Sequence, residues 1–161
     1  MAVSDKKVLA TNNDDIIDIE IAAIKRQKFR INSDPTKVIE LYISDLGIVD
    51  RLEKGYKNLQ NLAEKVKDLD TDDADLSNSL REIDDAMREQ IDYIFDADVA
   101  NKLCDGGTMY DPWGGEMRYE HILETLLKLY EGNISHEFAL MKRRVAKHTA
   151  KYTKPNTRKK K

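Results

Sequence analysis

The stretch that decides the fold runs Lys28-Phe29-Arg30-Ile31, then Val38-Ile39-Glu40-Leu41-Tyr42-Ile43, then Ser44-Asp45-Leu46-Gly47-Ile48-Val49-Asp50-Arg51-Leu52. Its hydrophobic period changes partway through. Up to Ile43 apolar residues alternate with polar ones: Phe29 and Ile31 against Lys28 and Arg30, then Ile39, Leu41 and Ile43 against Glu40 and Tyr42. A period of two places one side of a strand on a core and the other in water. Asn32-Ser33-Asp34-Pro35-Thr36 lies between the two runs and consists of turn formers, so the segment predicts an antiparallel hairpin. Upstream, Ile17, Ile19 and Ile21 alternate with Asp18 and Glu20 in the same way. That predicts a third strand, or the start of a short helix running through Ala22 and Ala23.

From Ser44 onward the spacing becomes helical. Ser44 or Asp45 suits a helix N-terminus, and Val49, Leu52, Tyr56, Leu59, Ala63 and Val66 then fall three and four apart. Gly47 and Gly55 each weaken such a helix by roughly 1 kcal/mol relative to alanine, so packing must hold it. The acidic run Asp68-Leu69-Asp70-Thr71-Asp72-Asp73-Ala74-Asp75 interrupts the pattern, and a second stripe follows at Leu76, Leu80, Ile83, Met87, Ile91, Ile94 and Phe95. Two long helices with a short link form an antiparallel pair. The segment from Cys104 to Gly115 holds four of the seven glycines and the single tryptophan, and reads as a structured loop. A third helix is expected over Ile122, Leu123, Leu126, Leu127 and Tyr130, stopping at Gly132. A fourth is expected to open at Asn133 or Ser135 and to carry Ile134, Phe138, Met141 and Val145.

The expected architecture is therefore α+β and mostly α: a small N-terminal antiparallel sheet or hairpin followed by about four helices. It forms one domain over residues 15–150, after a flexible lead-in at 1–14 and before a basic flexible tail at 151–161. The chain has 161 residues, 40% hydrophobic and 35% charged, a balance that suits one packed domain with a heavily solvated surface. Charge is strongly segregated. Residues 142–161 contain ten Lys/Arg and no acid, while residues 1–141 hold 17 Lys/Arg against 30 Asp/Glu. Such a basic end suits nucleic acid, an acidic protein surface or the acidic body itself. No apolar run is long enough to span a bilayer, the first residues lack a signal-peptide core, and a lone cysteine fits a reducing cytoplasm. No membrane partner is expected.

Catalytic and metal-binding patterns fail at their decisive positions. Aligned as a calcium loop from Asp68, the acidic run has Asp73 where the turn needs Gly and Ser79 where a bidentate Glu is needed. Gly106-Gly107 and Gly114-Gly115 precede no Lys-Ser/Thr, so the phosphate-loop reading fails. His121, His136 and His148 form no metal-ligand spacing, and Cys104 has no nucleophile signature around it. No cofactor, metal or catalytic residue is expected, and the chain reads as a non-enzymatic interaction protein. Its candidate partner-binding residues are the loop aromatics Tyr110 and Trp113, because aromatics dominate interface hot spots, and the basic Lys142, Arg143, Arg144, Lys147 and Lys151.

The layout resembles one family. The hairpin with its strand-to-helix entry at Ser44–Leu52, the long polar-faced helix, Ile94-Phe95-Asp96, the glycine-rich Asp105-Gly106-Gly107-Thr108 and Trp113-Gly114-Gly115, and a closing helical part with a Lys-rich end are similar to the small tail-assembly chaperones of long-tailed bacteriophages and prophages of Gram-positive hosts. The resemblance covers residues 26 to 150. It implies a protein of the host cytoplasm that coats the aggregation-prone tape measure protein before tail tube subunits polymerise, touches other tail proteins, and is absent from the finished particle. Self-association is compatible with it. The rival readings are a structural virion or head–tail connector protein, and a nucleic-acid-associated protein acting through its basic end.

Overall fold

The computed structural model describes residues 15–157, with side chains through residue 143. The expected lead-in at 1–14 and the terminal 158–161 lie outside the described residues. The architecture is α+β and mostly α: a small antiparallel hairpin followed by four helices. Strands β1 (Gln27–Ile31) and β2 (Asp34–Leu41) pair antiparallel, with Phe29 opposite Ile39 and Lys28 opposite Glu40. The chain reverses at Asn32 and Ser33, both at positive φ (49° and 62°), the conformation that matches the twist of a two-residue hairpin. Pro35 is therefore not in the turn. It sits in a bulge of β2, where its missing N–H costs the ladder nothing. The Asp34 carboxylate closes the bulge by accepting hydrogen bonds from the Thr36 amide (2.9 Å) and hydroxyl (2.7 Å), and these bonds hold its pKa below the usual carboxylate value.

Helix α1 (Ile48–Lys67) and helix α2 (Leu76–Phe95) form the expected antiparallel pair. The buried face of α1 follows the expected stripe at Leu59 and Ala63, with Leu52 and Val66 packed against the core, and departs from it at Val49 and Tyr56. Val49 is 64% exposed and Tyr56 37% exposed, while Ile48, Gly55, Leu59 and Ala63 are buried. At that level of the helix Gly55, not Tyr56, meets α2. A β-carbon at Gly55 would overlap Ile94 Cγ1 and lie 2.7 Å from its Cδ1. On α2 the expected residues Ile83, Met87, Ile91, Ile94 and Phe95 are all buried. The acidic link is built from side-chain-closed turns: Asp70 accepts from the Asp72 amide and Asp73 from the Asp75 amide, each at 2.9 Å.

Two expectations are overturned, at residues 17–21 and at Gly132, and the glycine-rich loop gains detail. Residues 17–21 form neither a strand nor a helix; they are irregular, and Ile17, Ile19 and Ile21 are about fully exposed, at 86%, 79% and 82%. The glycine-rich loop is framed by a short helix, α3 (Ala100–Cys104), and a minimal hairpin of β3 (Pro112–Trp113) and β4 (Glu116–Met117) turning at Gly114-Gly115. Gly132 does not end a helix. One helix, α4 (Arg118–Thr157), runs through 40 residues and spans ~60 Å. It includes residues 151–157, which were expected to be flexible tail. Gly132 lies at no positive φ, so nothing forces the chain out of the helix there. The fourth helix is thus supplied by α3, and the two expected C-terminal helices are one.

The first turns of α4 complete the core. Tyr119, Ile122, Leu123, Leu126 and Tyr130 are buried, and the Tyr130 ring packs on Phe95 with centroids 5.7 Å apart. Asn133 donates a 2.6 Å hydrogen bond to the Ser44 hydroxyl and Ile134 is half-buried. From Ser135 through Arg143 every residue is exposed.

The two glycines should respond oppositely to alanine. Gly55→Ala should destabilise the protein by about 1–3 kcal/mol through overpacking. Gly132→Ala, where a β-carbon meets nothing within 4 Å, should stabilise it by about 0.5–1 kcal/mol. Chemical denaturation checks both, and a loss of stability in Gly132→Ala would restore the helix break. A second expectation concerns alkali. Burial pushes the hydroxyls of Tyr119 and Tyr130 up to about 12. The folded state then keeps protons that the unfolded state releases near pH 10. Their contribution is whole below pH 10 and is lost as pH rises toward 12. Thermal melts of Tyr119→Phe/Tyr130→Phe should show a shallower loss of melting temperature over that window than the parent.

Candidate interaction surfaces

The polar side chains of α2 position everything that follows it. The Asp84 carboxylate accepts the Met109 amide at 2.8 Å and pairs with Arg88 Nε at 2.9 Å. Arg88 donates onward to Asn101 Oδ1 (2.9 Å) and to the Gly107 carbonyl (2.7 Å). One turn further, Asp92 Oδ1 accepts from the amides of Val99 (2.9 Å) and Ala100 (2.8 Å), satisfying the orphan N–H groups that open α3. Asp111 braces the loop by accepting from the Thr108 amide (3.0 Å) and its hydroxyl, which lowers its own pKa. The amides of Arg118 and Tyr119 then donate to the carbonyls of Asp111 and Met109, both at 2.8 Å, and fix where α4 begins.

Cys104 belongs to this frame. It is 1% exposed, its Sγ donates to the Gly107 carbonyl at 3.1 Å, and burial pushes its thiol above the ordinary value. A thiol in that state is a poor nucleophile. Among the described residues no group of three His, Cys, Asp or Glu is placed to share a metal ion, and no helix is long and apolar enough to cross a membrane.

The candidate partner-binding residues separate into two places. Tyr110 is half-buried against the core, and its hydroxyl donates toward the Leu80 carbonyl at 3.4 Å; its ring is a packing element. Trp113 is the surface aromatic of the pair, 44% exposed at the small hairpin. Its indole stacks on His121 with centroids 4.6 Å apart, and the Arg118 guanidinium lies 5.7 Å from the ring centroid. Lys142 and Arg143 are exposed on α4, far from this cluster: 21 residues of helix separate His121 from Lys142, which is ~30 Å. Arg144, Lys147 and Lys151 continue the same helix, and their side chains lie outside the described residues. The structure does not bring the aromatic and basic candidates together.

Residues not singled out for binding are more telling. Phe138, Leu140 and Met141 are 44%, 42% and 54% exposed on the part of α4 that has left the core, and Leu46 beside them is 49% exposed. Ser44, Leu46, Ile134, Glu137, Phe138 and Met141 line a shallow groove there. The helical spacing of Ile134, Phe138 and Met141 was readable; that no further element covers them among the described residues was not. Comparison with protein-family models, with curated proteins and with solved structures gives no match.

Arg88 is the test of the frame. Arg88→Ala leaves Asp84 half-buried without its cation and one donor fewer on the Gly107 carbonyl. It should cost about 2 kcal/mol and speed the reaction of Cys104 with a thiol reagent, which in the parent should proceed only as fast as the protein opens. Equal labelling rates in parent and variant would show that the loop is held by other contacts.

Proposed function

We propose that the protein is a non-enzymatic assembly chaperone that receives an apolar helical segment of a partner along the outer half of α4. The observation that carries this reading is the stripe of half-buried Ile134 and exposed Phe138 and Met141, spaced four and three apart, on a helix whose first turns are anchored in the core. An amphipathic helix presenting apolar side chains at three- and four-residue spacing, beside a groove, is a receptor for another amphipathic helix. Contiguous exposed apolar surface on a folded domain marks an interaction site. The specific role that suits this surface best is that of the tail-assembly chaperones resembled by the sequence: shielding the long helical tape measure protein in the host cytoplasm until tail proteins polymerise around it. A charged, water-facing body on one side and an apolar arm on the other is what a solubilising partner requires.

A second reading rests on the ten Lys/Arg of residues 142–161. A basic arm of that density would bind nucleic acid by neutralising phosphates, with steep salt dependence and little sequence preference.

Co-expression of tagged protein with the neighbouring gene products, followed by a nuclease-treated pull-down, decides between them. Capture of a very long helical protein that is soluble only in its presence is the expected result. Phe138→Asp/Met141→Asp should abolish that capture while changing stability by less than about 0.5 kcal/mol, because both sites are exposed. Capture of nuclease-sensitive nucleic acid alone would overturn the chaperone reading in favour of the basic arm.

A further inference from the structure

Residues 15–26 leave the body without regular structure, and five isoleucines in them (Ile16, Ile17, Ile19, Ile21, Ile24) are 59–86% exposed. Strict alternation of Ile17, Ile19 and Ile21 with Asp18 and Glu20 is a strand pattern without a strand partner. The body holds the complement. The hairpin is two-stranded, and no third strand flanks β1 among the described residues. The β2 side is occupied: α3 packs against it, Lys102 donates to the Val38 carbonyl at 2.9 Å, and Lys37 pairs with Asp105 at 2.6 Å. The open edge therefore belongs to β1.

The chemistry of that edge matches the loose segment. Along β1, Phe29 and Ile31 are half-buried on the core side, while Lys28 and Arg30 are exposed on the other. A strand reading Ile-Asp-Ile-Glu-Ile laid on this edge puts isoleucines beside Phe29 and Ile31 and carboxylates beside Lys28 and Arg30. A one-residue slip would reverse both faces at once, so the pattern itself selects the register.

We propose that residues 17–21 of one copy pair with β1 of a second copy, and that the reciprocal exchange forms a two-fold dimer. The chain's own β1 is the poorer acceptor. The reversal would have to pass through Ala22-Ala23-Ile24-Lys25-Arg26, which contains no turn former, and Arg26 is held on Asp96, donating to its carbonyl at 3.3 Å with the carboxylate 3.7 Å away. A second copy is the occupant because donor strand and acceptor edge lie on the same sequence: two chains satisfy each other completely and close the assembly. The pairing is strand addition to an exposed edge, on a surface separate from the α4 stripe.

Charge exchange tests it. Asp18→Lys/Glu20→Lys lies wholly in the exposed segment and cannot unfold the body. Lys28→Glu/Arg30→Glu changes the edge, and its folding is checked by its melting temperature, because Lys28 also faces Glu40 at 3.8 Å. Sedimentation should show the parent as a dimer and each variant weakened by about a hundredfold, since four attractive cross-strand pairs become repulsive. An equimolar mixture of the two variants should regain the parental dimer, because both of its exchanged interfaces again pair opposite charges. A monomeric parent, a dimer indifferent to either variant, or a mixture that fails to regain dimerisation would each overturn the proposal.

Discussion

The close approach of α2 to α1 at Gly55 is the constraint from which the rest of the arrangement follows. Ile94 occupies the space a side chain at residue 55 would need, so α1 must turn its glycine inward and expose Val49 and Tyr56. On the same helix Arg51 reaches the end of α2, where its Nε donates to the Ile94 carbonyl at 3.0 Å while its guanidinium pairs with Asp45. One contact thereby fixes the helix pair, the C-terminal end of α2 and the entry from the hairpin. The glycine weakens α1 locally, but burial of Ile94 and Leu59 on either side offsets that loss.

With α2 fixed, its polar positions act as a jig for the second half of the chain. Asp84, Arg88 and Asp92 lie four residues apart, along one line of the helix, and each holds backbone rather than another side chain alone. The chain between Asp96 and Met117 has only short regular elements, and these three side chains satisfy the amides of Val99, Ala100 and Met109 and the carbonyl of Gly107. The loop's firmness has a consequence at a distance. It sets the first turn of α4, and a helix is stiff enough that its first turn aims the apolar stripe some 30 Å further on.

Where pattern reported burial, the sequence was legible. The hairpin, the two long helices, the α2 face and the buried side of early α4 all follow from periodicity, because one period corresponds to one face. Signals resting on a single residue type misled. Gly132 looked like a stop because glycine tolerates left-handed backbone, yet tolerance does not compel it. Tyr56 looked like core because it is large and in phase, yet the neighbouring glycine determined how closely the partner helix packs. The Asp84–Arg88–Asp92 frame escaped notice because a mid-helix carboxylate is usually solvated, and nothing local reveals that a loop 25 residues away will seek it. Of the candidate binding residues, Trp113, Lys142 and Arg143 lie exposed, while Tyr110 packs against the core.

Two apolar features therefore remain without cover among the described residues, the α4 stripe and the isoleucines of residues 16–24, and they differ in kind. The α4 residues follow helical spacing and are flanked by cations beyond Met141, so they suit a helix, and preferably one with acidic residues near its end. The isoleucines follow strand spacing and alternate with acids, so they suit a sheet edge rich in cations. The chain itself offers such an edge in β1, whereas among the described residues α1, α2 and α3 are packed in the core. Self-pairing would satisfy the isoleucines, and the helix of a partner would satisfy α4, as proposed. A protein that dimerises through its strands would present two arms at once, and two weak helix-binding sites on one rigid frame hold a long repetitive partner far more firmly than either alone.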